Sequence, residues 1–235
     1  MRKPDLHLLN SIKEKAGTKL RKYFAPENRV FHGRDKRKTS AELEAAMEKL
    51  PPADPETGLS RCFWLRAIGW FTLALADLTD ILPETAPERA EIADIFRELA
   101  ASLEKYMDPE TGMYWQVVDQ PGREGNYPET SGSSMIAYAM LKGSRLGVLD
   151  IRYRELGRKT FRGIMDGFLK TRDGMLELQN ICLVAGLGPE NNRRRDGSYG
   201  YYVSEPIVSN DAKGSAPFVL CYTEIKRLDM ERQGG

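Results

Sequence analysis

The stretch "DPETGLSRCFWLRAIGWFTLALADLTDILPE", residues 54–84, decides the fold. It opens on a turn, because Asp-Pro starts one and Gly supplies the positive φ that closes it. A long apolar segment follows, with Trp70, Phe71, Leu73, Ala74, Leu75, Leu78, Ile81 and Leu82 ahead of a stop at Pro83. This predicts a helix over 62–82, apolar around so much of its circumference that burial on nearly all sides is implied. The turn is written again as "DPETGMYWQVV" from residue 108. Two copies of one turn, each leading towards an apolar helix, predict a repeating architecture.

The other segments follow the same grammar. Leu6, Leu9, Ile12, Ala16, Leu20 and Phe24 recur at three- and four-residue steps, an amphipathic helix over 5–24. "TSAELEAAMEKL" (39–50) is a short helix capped by Thr39 or Ser40 and stopped by Pro51-Pro52. "APERAEIADIFRELAASLEKYM" (86–107) has Pro in its first turn and a charged outward face. Residues 112–129, rich in Gly and Pro, predict a short strand and a loop. Next come a buried helix at 130–147, with Thr130 or Ser131 as its N-cap, and a polar partner at 151–169. "KTRDGMLELQN" (170–180) is a weaker copy of the turn and strand. Residues 181–214 are Gly-rich and polar without a regular period, and 215–228 form a last apolar helix.

This gives an all-α chain of about seven helices in which buried and polar helices alternate after turns near 26, 55, 109 and 173. Helical hairpins with one helix of each pair facing inward build either an α/α toroid or an α-solenoid. Long, unequal and chemically varied connections favour the toroid.

Composition removes several function classes. Lys+Arg 35 against Asp+Glu 34 leaves a net charge of +1, which gives no electrostatic case for nucleic acid or an anionic membrane as partner. No apolar run approaches the ~20 residues of a membrane span. The first twenty residues carry too much charge for a signal peptide. Cys62, Cys182 and Cys221 are odd in number, far apart and set in apolar company, which predicts buried thiols in a reducing, cytoplasmic setting. Neither a metal-spaced His/Cys set nor a P-loop, dinucleotide fingerprint or nucleophile elbow is present, so no metal or cofactor is expected.

"FWLRAIGWF" (63–71) is the most informative chemical stretch. Arg66 in a first helical turn is poorly placed for the helix dipole, which favours cations at C-termini. Beside Trp64 and Trp70, and ahead of a Gly that lets another backbone approach, it fits a carboxylate site walled by indoles, whose faces suit sugar rings. It equally fits two core tryptophans and a snorkelling arginine. Spacing alone does not choose. His32, in "FHGRD", sits on a loop. Arg123, Glu124, Asn126, Tyr127 and Glu129 precede one buried helix, and Asn210, Asp211 and Lys213 precede another. Polar residues at the mouths of several inner helices predict one shared pocket.

"FWLRAIGWFTLALADLTDILPE" resembles the Trp-x-Arg-x-x-Gly-Trp helix of the unsaturated rhamnogalacturonyl hydrolases, glycoside hydrolase family 105, close to family 88. "FHGRD", "REGNYPETSGSSMIAYAMLKGSRLG" and "DGSYGYYVSEPIVSNDAKGSAPFVLCYTEI" resemble further family segments in the same order. The resemblance implies a six-hairpin α/α toroid acting without metal on oligosaccharides that end in a 4,5-unsaturated uronic acid left by a polysaccharide lyase, as in pectin degradation. In that chemistry an Asp protonates the double bond, water adds at C5, and the hemiketal falls apart. By position, Arg66 would bind the uronate carboxylate, Trp64 and Trp70 would wall the sugar, and His32 would hydrogen-bond it. The family's acid/base Asp lies well upstream of its His-Gly segment, yet here only Asp5 precedes His32. Twelve helices with their connections also need roughly 260 residues. The expectation is therefore that residues 1–235 are the C-terminal portion of a single toroid catalytic domain, with N-terminal hairpins missing and open ends inviting self-association. Glu129 and Asp211 are the fallback acids; the alternatives are a non-catalytic sugar-binding relative and a half-toroid that pairs with another chain to close the ring.

Overall fold

The computed structural model describes residue 60, residues 62–186, residue 195 and residues 197–233. The helices expected at 5–24 and 39–50, the first DPETG and His32 lie outside them. Residues 62–185 and 198–233 belong to one compact unit. It is mostly helical, with α1 (Leu65–Ile81), α2 (Pro87–Glu104), α3 (Thr130–Arg145) and α4 (Arg152–Phe168) leading to a hairpin of β1 (Leu169–Arg172) and β2 (Met175–Leu178). The short β3 (Ile181–Cys182), α5 (Tyr199–Ser204) and β4 (Ile207–Val208) precede α6 (Ala212–Gln233).

The hub is α3, with every residue from Thr130 to Ser144 buried. Its small, hydroxyl-rich first turns let neighbours come close on all sides. α1, α4 and α6 all pack on it. Gly69 and Gly132 mark the crossing with α1: a Cβ on Gly132 would sit 2.4 Å from Leu65 Cγ, and one on Gly69 would sit 3.2 Å from Gly132 Cα. Leu65, Leu75, Phe96, Leu99, Ile136 and Met140 fill the space among α1, α2 and α3. Each large side chain buried there contributes roughly 1.5–3 kcal/mol.

Hydrogen bonds, ion pairs and a ring stack fix the helix directions. Arg66 in the first turn of α1 meets Ser131 in the first turn of α3. Lys142 near the end of α3 meets Asp77 and Asp80 near the end of α1. The two helices are therefore parallel. Phe161 stacks on Phe218 while Arg158 pairs with Asp229, so α4 and α6 are antiparallel. The polar helices α2 and α4 are the return arms, and α1, α3 and α6 are inner helices of an α/α toroid. This is the alternation that the sequence predicts.

The second DPETG forms the expected turn. Asp108 Oδ1 accepts the Thr111 amide and hydroxyl, both at 2.8 Å, and Gly112 closes the turn at φ 70°. Thr160 Oγ1 donates to the Gly112 carbonyl at 2.6 Å and docks the turn on α4. The extended piece after it survives only as isolated bridges, Trp64 to Val117 and Trp115 to Pro128. Asp173 and Gly174, at φ 51° and 76°, are the two-residue loop of the β1–β2 hairpin, where the weaker turn is expected.

Three expectations need correction. α1 is not buried on nearly all sides: Ala67, Trp70, Ala74, Leu78 and Ile81 form an exposed apolar stripe opposite its contact with α3. Residues 181–214 are not uniformly irregular, since they hold β3, α5 and β4. These elements are too short for any period to register. The cap of α3 is Glu129, whose carboxylate accepts from the Ser131 and Gly132 amides, rather than Thr130 or Ser131.

Candidate functional site

The centre of the site is Arg66, 2% exposed in the first turn of α1. Nε donates to Ser131 Oγ at 2.8 Å, one terminal nitrogen donates to the Leu183 carbonyl at 3.3 Å, and the other donates to the Cys182 carbonyl. Nη2 also lies 3.5 Å from Glu129 Oε1. One guanidinium thus ties α1 to the N-terminus of α3 and to β3. Gly69 and Gly132 make this reach possible by removing two side chains from the crossing.

Glu129 is 0% exposed, and its oxygens are heavily used. Oε1 accepts the Ser131 amide at 3.1 Å, the Ser131 hydroxyl at 2.7 Å and the Cys182 amide at 3.0 Å. Oε2 accepts the Gly132 amide at 2.7 Å. A carboxylate in this position is favoured by the helix dipole as well as by these donors. The Arg66–Glu129 pair completes a buried network of the kind in which each polar atom needs its partner.

Asp211 stands ahead of α6. It accepts the Lys213 amide at 2.9 Å and holds the Lys213 ammonium at 2.7 Å. Burial raises its pKa, but the Lys213 hydrogen bonds, with a weaker pull from Arg66, leave the carboxyl below its usual range. Asp211 and Arg66 therefore share one electrostatic neighbourhood.

Trp64 stacks on Tyr202 of α5, with centroids 5.8 Å apart and planes 18° from parallel. Arg66 Cζ lies 5.9 Å from the Trp64 ring centre. Trp64 Nε1 is buried and has no hydrogen-bond acceptor. Trp70, one helical turn beyond Arg66, is 47% exposed and belongs to the apolar stripe. The structure thus gathers Trp64, Arg66 and Glu129, leaves Asp211 paired with Lys213 ahead of α6, and places Trp70 on an open face. Among the described residues, no group of three His, Cys, Asp or Glu is placed to hold a metal ion.

The sequence does not single out Ser131, Tyr202 or Asp119 for this region. Asp119 accepts the Phe63 amide at 3.3 Å, just ahead of α1, and burial pushes its carboxyl above the usual range. Its only sequence signal is a lone charge after "QVV". Tyr202 sits in the segment without regular period, so no pattern pointed to it.

The model of Glycosyl Hydrolase Family 88 matches residues 31–229. "Protein Atu3128" of Agrobacterium fabrum is 39% identical over 177 residues, covering 73% of this chain and 75% of that protein. A solved family 105 glycoside hydrolase of C. acetobutylicum is 43% identical, covers 77% of this chain and 50% of its own, and superposes with a TM-score of 0.72. An unsaturated 3S-rhamnoglycuronyl hydrolase of Formosa agariphila is 22% identical over 188 residues, 79% of this chain and 48% of that enzyme. The chain thus spans about half the length of these two hydrolases. The toroid, the Trp-x-Arg helix and a match across most of the chain agree, and the chain belongs to glycosyl hydrolase family 88, close to family 105.

Proposed function

We propose that the chain carries the uronate-binding part of an unsaturated uronyl hydrolase, as the C-terminal portion of one toroid catalytic domain. The observation that carries this reading is the Trp64–Arg66 pair at the mouth of the inner helices. The substrate would be a lyase-generated oligosaccharide with a 4,5-unsaturated uronic acid at its non-reducing end, of the rhamnogalacturonyl type. Arg66 meets the uronate carboxylate through the nitrogen whose bond to Leu183 is long, at 3.3 Å. Trp64 lends a ring face and an indole N–H without an acceptor, and Trp70 lends an open indole. His32 hydrogen-bonds the sugar. The reaction is hydration: a proton is added to the double bond, water adds at C5, and the hemiketal opens to release the next sugar.

A second reading is favoured by the two fallback acids. Glu129 is sealed from any substrate by burial and by four donors, and Asp211 is held ionised by Lys213. A general acid must hold a proton within reach of its target, whereas Glu129 is walled off and Asp211 is kept as the carboxylate. In this reading the chain is a carbohydrate-binding relative of the hydrolases.

Binding and turnover separate the two readings. The chain is titrated with an unsaturated disaccharide while tryptophan fluorescence and the uronate's ultraviolet absorbance are followed. Fluorescence change lost in Trp70→Ala and in Arg66→Lys supports the site, and decay of absorbance would add catalysis. No binding at millimolar disaccharide would sink both readings.

A further inference from the structure

Arg123 is a cation that neither the packing of the helices nor the Arg66 network uses. It stands on the loop between Val118 and Asn126, and that loop is held firmly. Asn126 closes it: Oδ1 accepts the Val117 amide at 3.1 Å, and Nδ2 donates to the Val117 and Gln120 carbonyls at 2.9 and 2.7 Å. Tyr199 of α5 donates its hydroxyl to the Arg123 and Glu124 carbonyls, at 3.1 and 2.8 Å, and ties the loop to the helix.

The exposed Arg123 guanidinium lies flat against this tyrosine, with Cζ 3.7 Å from the ring centre, while Nη1 donates to Gln120 Oε1. Nε and Nη2, the side-by-side pair that grips a carboxylate at two points, have no acceptor among the described residues. Arg66 is the opposite case: it is buried, and all three of its nitrogens donate to Ser131, Leu183 and Cys182. An arginine fixed on an aromatic face with that edge open is preorganised for a planar anion.

The ring under Arg123 belongs to the aromatic row of the candidate site. Tyr199 and Tyr202 are three positions apart in α5 and share one side of it, about 5.4 Å along the helix. Tyr202 stacks on Trp64 at 5.8 Å, and Arg66 Cζ lies 5.9 Å from the Trp64 ring centre. The row therefore runs Arg66, Trp64, Tyr202, Tyr199, Arg123, with a guanidinium at each end and rings between. That order suits a ligand with carboxylates at intervals and apolar sugar faces between them. We propose, resting on the reading of Arg66 as a uronate site, that Arg123 reads a second carboxylate, that of the next uronic acid along the oligosaccharide. Where acidic and neutral sugars alternate, this is the third unit from the unsaturated end. Arg123 thereby makes the site favour acidic oligosaccharides longer than a disaccharide.

The test titrates the whole 235-residue chain with two lyase products. One is the unsaturated disaccharide, and the other is the tetrasaccharide that adds a second uronate and a second neutral sugar. Affinity is read by calorimetry, or as KM where the uronate absorbance decays. The wild-type chain should bind the tetrasaccharide about fivefold more tightly in dilute buffer, the scale of an exposed ion pair, and the gain should fade in roughly 0.5 M salt. Arg123→Gln should erase the gain while binding the disaccharide as the wild type does. A gain that survives Arg123→Gln, a gain that persists in high salt, or equal losses for both sugars would each overturn the proposal. Disaccharide binding with no gain for the tetrasaccharide would overturn it alone, whereas failure to bind either sugar would sink the proposed function as well.

Discussion

Replacing Glu129 by Ala tests whether the buried pair is framework or chemistry. The substitution removes the acceptor of the Ser131 and Gly132 amides, a cap worth about 1 kcal/mol. It also removes the counter-charge of Arg66, and breaking a buried pair from one side costs roughly 3–5 kcal/mol. The lower end applies, because the pair is 3.5 Å apart and Arg66 keeps Ser131 and two carbonyls. The two losses share atoms, so the expected penalty is about 3–4 kcal/mol, against a net stability of roughly 5–15 kcal/mol for a typical domain. At ~2–4 °C per kcal/mol the melting temperature should fall by about 10 °C. Thermal and urea melts followed by far-ultraviolet circular dichroism, at fixed protein concentration, read this directly. Arg66→Met with Glu129→Ala should cost less than the sum of the single changes by about 1–3 kcal/mol. A Glu129→Ala chain within about 1 kcal/mol of wild type, or additive single changes, would refute the network as framework.

Gly132→Ala should destabilise by roughly 1–3 kcal/mol although alanine is the better helix former, because the new Cβ would lie 2.4 Å from Leu65 Cγ; an unchanged melt would contradict the close crossing of α1 and α3. Asp211 has a depressed pKa, so its stabilisation is present above the ordinary Asp value near ~4 and is lost as pH falls through the folded value. Asp211→Asn should therefore weaken the chain at pH 7 and cost little in strong acid, and an equal urea-midpoint loss at both would rule out the Lys213 effect.

The long elements were legible because period and punctuation agreed. Pro87 starts α2, DPETG ends its hairpin, and Asp173-Gly174 makes a two-residue turn where the sequence repeats its turn motif. What stayed hidden has a physical cause. β3 and β4 are two residues each, below the length at which alternation can be seen. The outward stripe of α1 escaped because apolar residues on every face read the same whether a neighbour covers them or not. Thr130 and Ser131 are good caps by type, but the choice of Glu129 was made by Arg66 and Cys182, which lie far away in sequence. Asp119 illustrates the same limit: its environment is set by Phe63, 56 positions distant.

The position of Arg66 has a consequence for ligand recognition under the proposed function. A guanidinium has five N–H donors, and two-point capture of a carboxylate needs a pair of them side by side. Here Nε is held by Ser131, one terminal nitrogen by Cys182 beside Glu129, and the other by Leu183. The Nη1 group keeps one hydrogen to spare, so a uronate can be met by one bond unless the 3.3 Å link to Leu183 opens. Glu129 also offsets the positive field that would draw an anion in. Uronate recognition by Arg66 is thus coupled to the β3 segment: whatever moves the Leu183 carbonyl away from α1 turns a structural arginine into a binding one. In that proposal the indoles of Trp64 and Trp70 would carry the sugar face.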